Sequence, residues 1–251
     1  MQTRLFVFLT ASVLAPGQDL ERTFPLNYNA TPQDLQEVLT MIRAIADVKQ
    51  VDANAEGSSI AIHGSSDQIA LTEWLLTTLH APAGSVSSEK RKYQMPAGKD
   101  DAPVVAAFNL AHAGTVRNLQ EVATVVRSIG EIRRLFVYTA REAIAVRGTR
   151  AQIDLAERLV NELDRPVDTL PSAGRREYTT PGPGFPDNVV RVFSLKPETT
   201  MQRLQEIALQ VRVTTGVRRL FTYNAARAIT LLKGTPSQVE QAYQMIAERD
   251  R

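Results

Sequence analysis

The sequence predicts an α+β protein made of three tandem βαββα units, each a three-stranded sheet with two helices on one face. Three observations carry this: the chain repeats itself, the hydrophobic period changes in the same order within each copy, and stretches rich in Gly, Pro, Ser and charge separate the copies. Phe108, Leu110, Thr115, Leu119, Gln120, Glu121 and Val122 repeat Phe24, Leu26, Thr31, Leu35, Gln36, Glu37 and Val38 at a shift of 84 residues. The shift continues without a gap through Ile144, Gly148, Ile153, Leu159 and Pro166. Phe193, Leu195, Leu204, Gln205, Glu206 and Ile207 follow the second copy by 85 residues, and one added residue before Gly234 completes a third. The units are expected at 22–82, 103–166 and 187–251, with linkers at 83–102 and 167–186.

Within a unit, Phe-x-Leu opens a short strand by its alternation. Thr31, Thr115 or Thr200 then stands as an N-cap before apolar residues at helical spacing: Leu35, Val38, Leu39 and Ile42 in the first copy, Leu119, Val122 and Val126 in the second. A β-branched and aromatic run follows (Val48 to Val51, Ile132 to Tyr138, Val217 to Tyr223), and a polar turn leads to another (Ser59 to His63, Ala143 to Arg147, Ala228 to Leu232). These pairs of runs read as hairpins. Gly64, Gly148 or Gly234 ends the hairpin. Thr149 with Gln152, and Thr235 with Gln238, form capping boxes for a second helix, whose apolar face in the middle copy is Ile153, Ala156, Leu159, Val160 and Leu163.

The amino terminus, Met1 to Arg4 followed by an apolar run from Leu5 to Ala15, is too short to span a bilayer and reads as a signal peptide over 1–17, cleaved before Gln18. On that reading the mature protein lies outside the cytoplasm. The chain has no cysteine, which removes disulfides and thiolate chemistry, and its histidines, His63, His80 and His112, occupy unmatched positions. No metal, cofactor or catalytic residue is expected. Surface positions are expected for His80 and His112.

The stretch Arg133-Arg134-Leu135-Phe136-Val137-Tyr138 returns as Arg218-Arg219-Leu220-Phe221-Thr222-Tyr223. One reading is structural: the alternating residues fill both faces of a strand between helix and neighbour. The other is functional: Arg133, Arg134, Arg218 and Arg219 grip carboxylates of an adjoining unit, or phosphates. The first copy has Lys49-Gln50 here and is acidic (Asp34, Glu37, Asp47, Asp52, Glu56, Asp67, Glu73), while the third leans basic, a polarity suited to head-to-tail contact between unlike units.

The unit also carries Val146-Arg147-Gly148-Thr149-Arg150-Ala151-Gln152-Ile153 and Leu163-Asp164-Arg165-Pro166. In this it resembles the amino-terminal, ring-building repeats of bacterial secretins. The resemblance implies KH-like units in the periplasm that dock on one another or on a secretin ring, in a protein-secretion or pilus-type envelope complex, with a protein partner and possible homo-oligomers. The chain shows no glycine-rich barrel segment, and where the family has Asn before the last strand it has Glu142 or Arg227. The alternative function is KH-like binding of single-stranded nucleic acid, which normally uses a Gly-x-x-Gly loop between helices. None of the three copies has that loop.

Overall fold

The computed structural model describes residues 20–26, 31–54, 56–81, 91–96, 103–165, 175–179, 189–196, 199–224 and 229–250. The segment 1–17, expected to be a signal peptide, lies outside the described residues. In the first unit β1 (Leu20–Pro25) leads to α1 (Pro32–Met41), then β2 (Gln50–Ala53), β3 (Ser59–Gly64) and α2 (Ser66–His80). The second comprises β4 (Lys92–Gln94), β5 (Val104–Asn109), α3 (Val116–Gly130), β6 (Arg134–Tyr138), β7 (Ala143–Gly148) and α4 (Arg150–Leu163). The third comprises β8 (Arg175–Thr179), β9 (Val189–Ser194), α5 (Met201–Thr215), β10 (Arg219–Tyr223), β11 (Ile229–Gly234) and α6 (Pro236–Arg249). Every sheet is antiparallel, in the order β1-β3-β2, β4-β5-β7-β6 and β8-β9-β11-β10.

The α+β character stands, with one addition. The second and third sheets gain an edge strand, β4 or β8, from stretches expected to be linkers.

Each fold signal has its physical counterpart. The hydroxyls of Thr31, Ser65, Thr115, Thr149, Thr200 and Thr235 accept from the N3 amides of their helices. The capping glutamines also hold the two helices of a unit together. Gln68 Nε2 donates to Asp47 O at 2.7 Å, Gln152 Nε2 to Glu131 O at 3.0 Å, and Gln238 Nε2 to Thr215 O at 3.1 Å. This explains the strand-ending glycines: a Cβ on Gly64 or Gly148 would lie 2.7 or 2.8 Å from the glutamine Oε1. Arg43, Arg127 and Arg212 donate to the carbonyls of Val51, Leu135 and Leu220, tying the first helix of each unit to the outermost strand. Asp164, at the end of α4, accepts from the amides of Ala111 and His112 at 2.7 Å each, and Asp250 does the same for Lys196.

The units stack. On the strands of the second sheet, Val104, Ala106, Phe108, Leu135, Ile144 and Val146 face α3 and α4. The alternate residues Val105, Ala107, Tyr138, Ala143 and Ala145 join the core of the first unit instead, with Phe136 packed against it. In the third sheet Val190, Val192 and Tyr223 likewise join the second unit's core, and Phe221 packs there. Helix layers thus alternate with sheets, each sheet roofing the helices before it. Among the described residues, no element roofs the outer face of the first sheet.

Candidate functional site

The repeated chemistry of this chain lies at the two joints, and the same positions build both. The first half is a glutamate in the middle of each leading helix. Glu37 Oε2 on α1 accepts from the backbone N–H groups of Thr139 and Ala140, just past Tyr138, at 2.8 and 3.2 Å. Its equivalent Glu121 on α3 accepts from Asn224 N at 3.1 Å and Asn224 Nδ2 at 2.9 Å, just past Tyr223. A carboxylate suits these amides because charge-assisted bonds satisfy donors that leave the strand unpaired.

The second half lies at the helix end. Arg134 Nη1 meets Asp47 Oδ2 at 3.1 Å, and Arg147 Nη1, its cross-strand neighbour, donates to Ile45 O at 3.0 Å. In the second joint Arg219 Nη1 meets Glu131 Oε1 at 2.6 Å and donates to Ser128 O at 3.2 Å. Lys233 Nζ, cross-strand from Arg219, reaches the same Glu131 oxygen at 2.9 Å. Both cations hold the Glu131 carboxyl below the usual carboxylate range, Lys233 most strongly. The two acids occupy left-handed backbone, with φ of 62° at Asp47 and 53° at Glu131, where the third unit has Gly216 at 68°. A carboxylate is therefore kept where glycine would be more comfortable, at a local cost of about 1–2 kcal/mol, and in both cases it faces a cation of the next unit.

Between the polar ends lies the aromatic contact. Tyr138 is fully buried and Tyr223 is 2 % exposed. Tyr138 Oη lies 3.3 Å from His80 Nε2, while His80 Nδ1–H donates to Leu76 O at 2.7 Å. His80 is thus half-buried in the first joint, rather than at the surface as expected, because Tyr138 of the next unit covers it. His112 is exposed. The added edge strands widen the joints: Tyr93 packs on Trp74 of α2 with ring centroids 5.5 Å apart, and at the equivalent place Tyr178 lies under Arg158 of α4 and donates to Glu162 at 3.0 Å.

The four singled-out arginines divide into two pairs. Arg134 and Arg219 point into the joints; Arg133 and Arg218 are exposed at the strand starts. Arg133 borders a shallow groove of about 610 Å³ with Arg134, Arg147, Glu131 and Thr149. Sequence reasoning did not single out Glu37, Glu121, Asp47 and Glu131 as contact residues. The available signal was the recurrence of Glu37 at Glu121 and the acidity of the first copy. Among the described residues no group of three or more His, Asp or Glu side chains is placed to hold a metal, and no helix is long and apolar enough to cross a membrane.

Burial, partly opposed by the bond to Leu76, lowers the His80 pKa. Arg141 lowers it further and Asp34 raises it. A lowered native value means that the unfolded chain takes up the proton first. The contribution of neutral His80 is therefore complete above about pH 6.5 and declines as pH falls below it. The protection factors of the β6 amides, taken relative to intrinsic exchange at each pH, should fall on acidification through this range, and His80→Gln should flatten the profile. An identical profile in the variant would show that His80 does not gate the joint.

No family model and no curated protein matches the sequence. Among solved structures, the chain is similar to Aeromonas hydrophila ExeD, at 13% identity and a TM-score of 0.21 over 93% of this chain. It is also similar to the pilotin–secretin complex AspS–GspD of ETEC, at 16% identity and a TM-score of 0.22, again over 93% of this chain. It spans 41% and 38% of the length of those chains.

Proposed function

We propose that this chain is a non-enzymatic assembly module of the bacterial envelope, a periplasmic stack of secretin-like units accessory to a secretion or pilus-type complex. The observation that supports this best is the repeated joint. Glu37 and Glu121, Asp47 and Glu131, Arg134 and Arg219, Tyr138 and Tyr223 are used twice in the same way, and all of them join protein to protein. The envelope setting rests on the apolar amino terminus and on the secretin-like passages around Gly148 and Leu163.

Light scattering on the mature chain, alone and mixed with secretin periplasmic domains, tests the reading: a mixed species heavier than either component is expected. A chain that binds none of them loses the envelope assignment. Tight, salt-dependent retention of a single-stranded oligonucleotide in a filter assay would favour the nucleic-acid alternative, for which Arg133, Arg134 and Arg147 line the available groove.

A further inference from the structure

The face of α5 corresponds, position by position, to the faces of α1 and α3 that receive the next sheet. Glu206 is the equivalent of Glu37 and Glu121. It is held from its own helix by Gln202 at 3.1 Å, as Glu37 is by Gln33 at 3.3 Å and Glu121 by Arg117 at 3.4 Å. Its other oxygen, Oε2, the one that takes the amides in the first joint, meets Arg203 Nη1 of its own helix at 3.4 Å, a contact that an incoming unit would exchange for its amides. Along the same stripe the composition changes. Thr124 and Ser128 of α3 are replaced by Leu209 and Val213, one turn apart, 60% and 76% exposed. Glu131 is replaced by Gly216. Leu209 and Val213 are two of the three exposed large hydrophobic residues among those described, and solvent alone gives no reason to place them in one row.

We infer that this face is a third socket, built for the outward sheet face of a further βαββα unit outside residues 1–251. That unit would offer two backbone N–H groups to Glu206. It would carry an aromatic pair as in Phe136 and Tyr138, and an apolar residue where Arg134 and Arg219 stand. The last requirement follows from Gly216 and Val213: with no carboxylate at the helix end, an arginine there would be desolvated without a counter-charge. A second copy of this chain is a poor occupant. The outer face of its first sheet carries Glu21, Thr23, Gln50, Asp52 and Asn54, all exposed, in the places of Val105, Ala107, Arg134, Phe136 and Tyr138. Seating it on Leu209 and Val213 would bury Asp52, and Glu21 with only His63 beside it at 3.8 Å.

This inference deepens the assembly reading and is tested on the chain alone, so that its failure is separate from a failure to bind secretin domains. The variant E21V/T23A/Q50L/D52F/N54Y writes the expected partner chemistry onto the first sheet. Its mass by sedimentation should climb past that of a dimer as concentration rises, because a head-to-tail contact does not close. Adding L209E/V213E should return it to monomer, and the unaltered chain should be monomeric throughout. The milder D52F/N54Y change, read as the fluorescence shift of a dye on Val213→Cys, serves if the fivefold variant does not fold. A folded graft that stays monomeric, or associates regardless of L209E/V213E, overturns the socket. Self-association of the unaltered chain that L209E/V213E abolishes would overturn the partner in favour of a second copy.

Discussion

Tyr138→Ala is expected to cost about 3 kcal/mol and to separate the melting of the first unit from the rest. The ring is fully buried between two units, and truncating a buried aromatic typically costs about 3–5 kcal/mol through lost burial and the cavity left behind. Here the cavity opens at a joint rather than inside one core. Around it are Ala143, Ala145 and Ala107, side chains too small to close the gap. The Tyr138 hydroxyl also leaves the half-buried His80 Nε2 without that partner. The intact stack should unfold in one transition, since the first two helix layers are each shared by two sheets; the variant should show two by calorimetry. A single transition lowered in temperature would mean that the edge contacts of Trp74 with Tyr93, and of Glu37 with the amides of Thr139 and Ala140, suffice to keep the units coupled.

Glu131→Gln should weaken the second joint by about 2 kcal/mol, the scale of a hydrogen bond to a charged group. The side chain is 40% exposed, so solvent screening keeps the loss below the value for a buried pair. Lys233 is the reason it is not smaller: the ammonium is 4% exposed and loses its carboxylate. The pH dependence has a definite sign. A depressed native carboxyl value means stability that is complete above the unfolded value, about 4.3, and lost as pH falls below it. The variant should therefore lack part of the acid-induced loosening of the β10 and β11 amides. Equal acid sensitivity in both proteins would show that Glu131 does not hold the joint.

The parts of the fold that are local were legible in the sequence. Thr149 with Gln152 and Thr235 with Gln238 announce helix starts because the capping bonds span three residues, and Gly148 marks the strand end because Gln152 crosses it. The edge strands were not legible. β4 is only Lys92–Gln94, too short to show a period, and it exists because β5 offers a free edge. The division of labour in the repeated hexapeptide was half legible: alternation shows that Leu135 and Phe136 face opposite ways, but only the stack shows that the second face belongs to another unit. Glu142 illustrates a departure with a structural reading. It adopts a φ of 47° just before β7, a conformation that Asn tolerates better than Glu. The equivalent Arg227 lies outside the described residues.

The placement of Asp47 and Glu131 has a mechanical consequence. Each carboxylate is aimed by the final, left-handed residue of a helix, and that residue holds its direction only while the last turn is wound. Tension applied along the chain would unwind such a turn at small extension, and the latch to the following sheet would release with it. The stack is in this sense a series of catches whose triggers sit on the element before each catch.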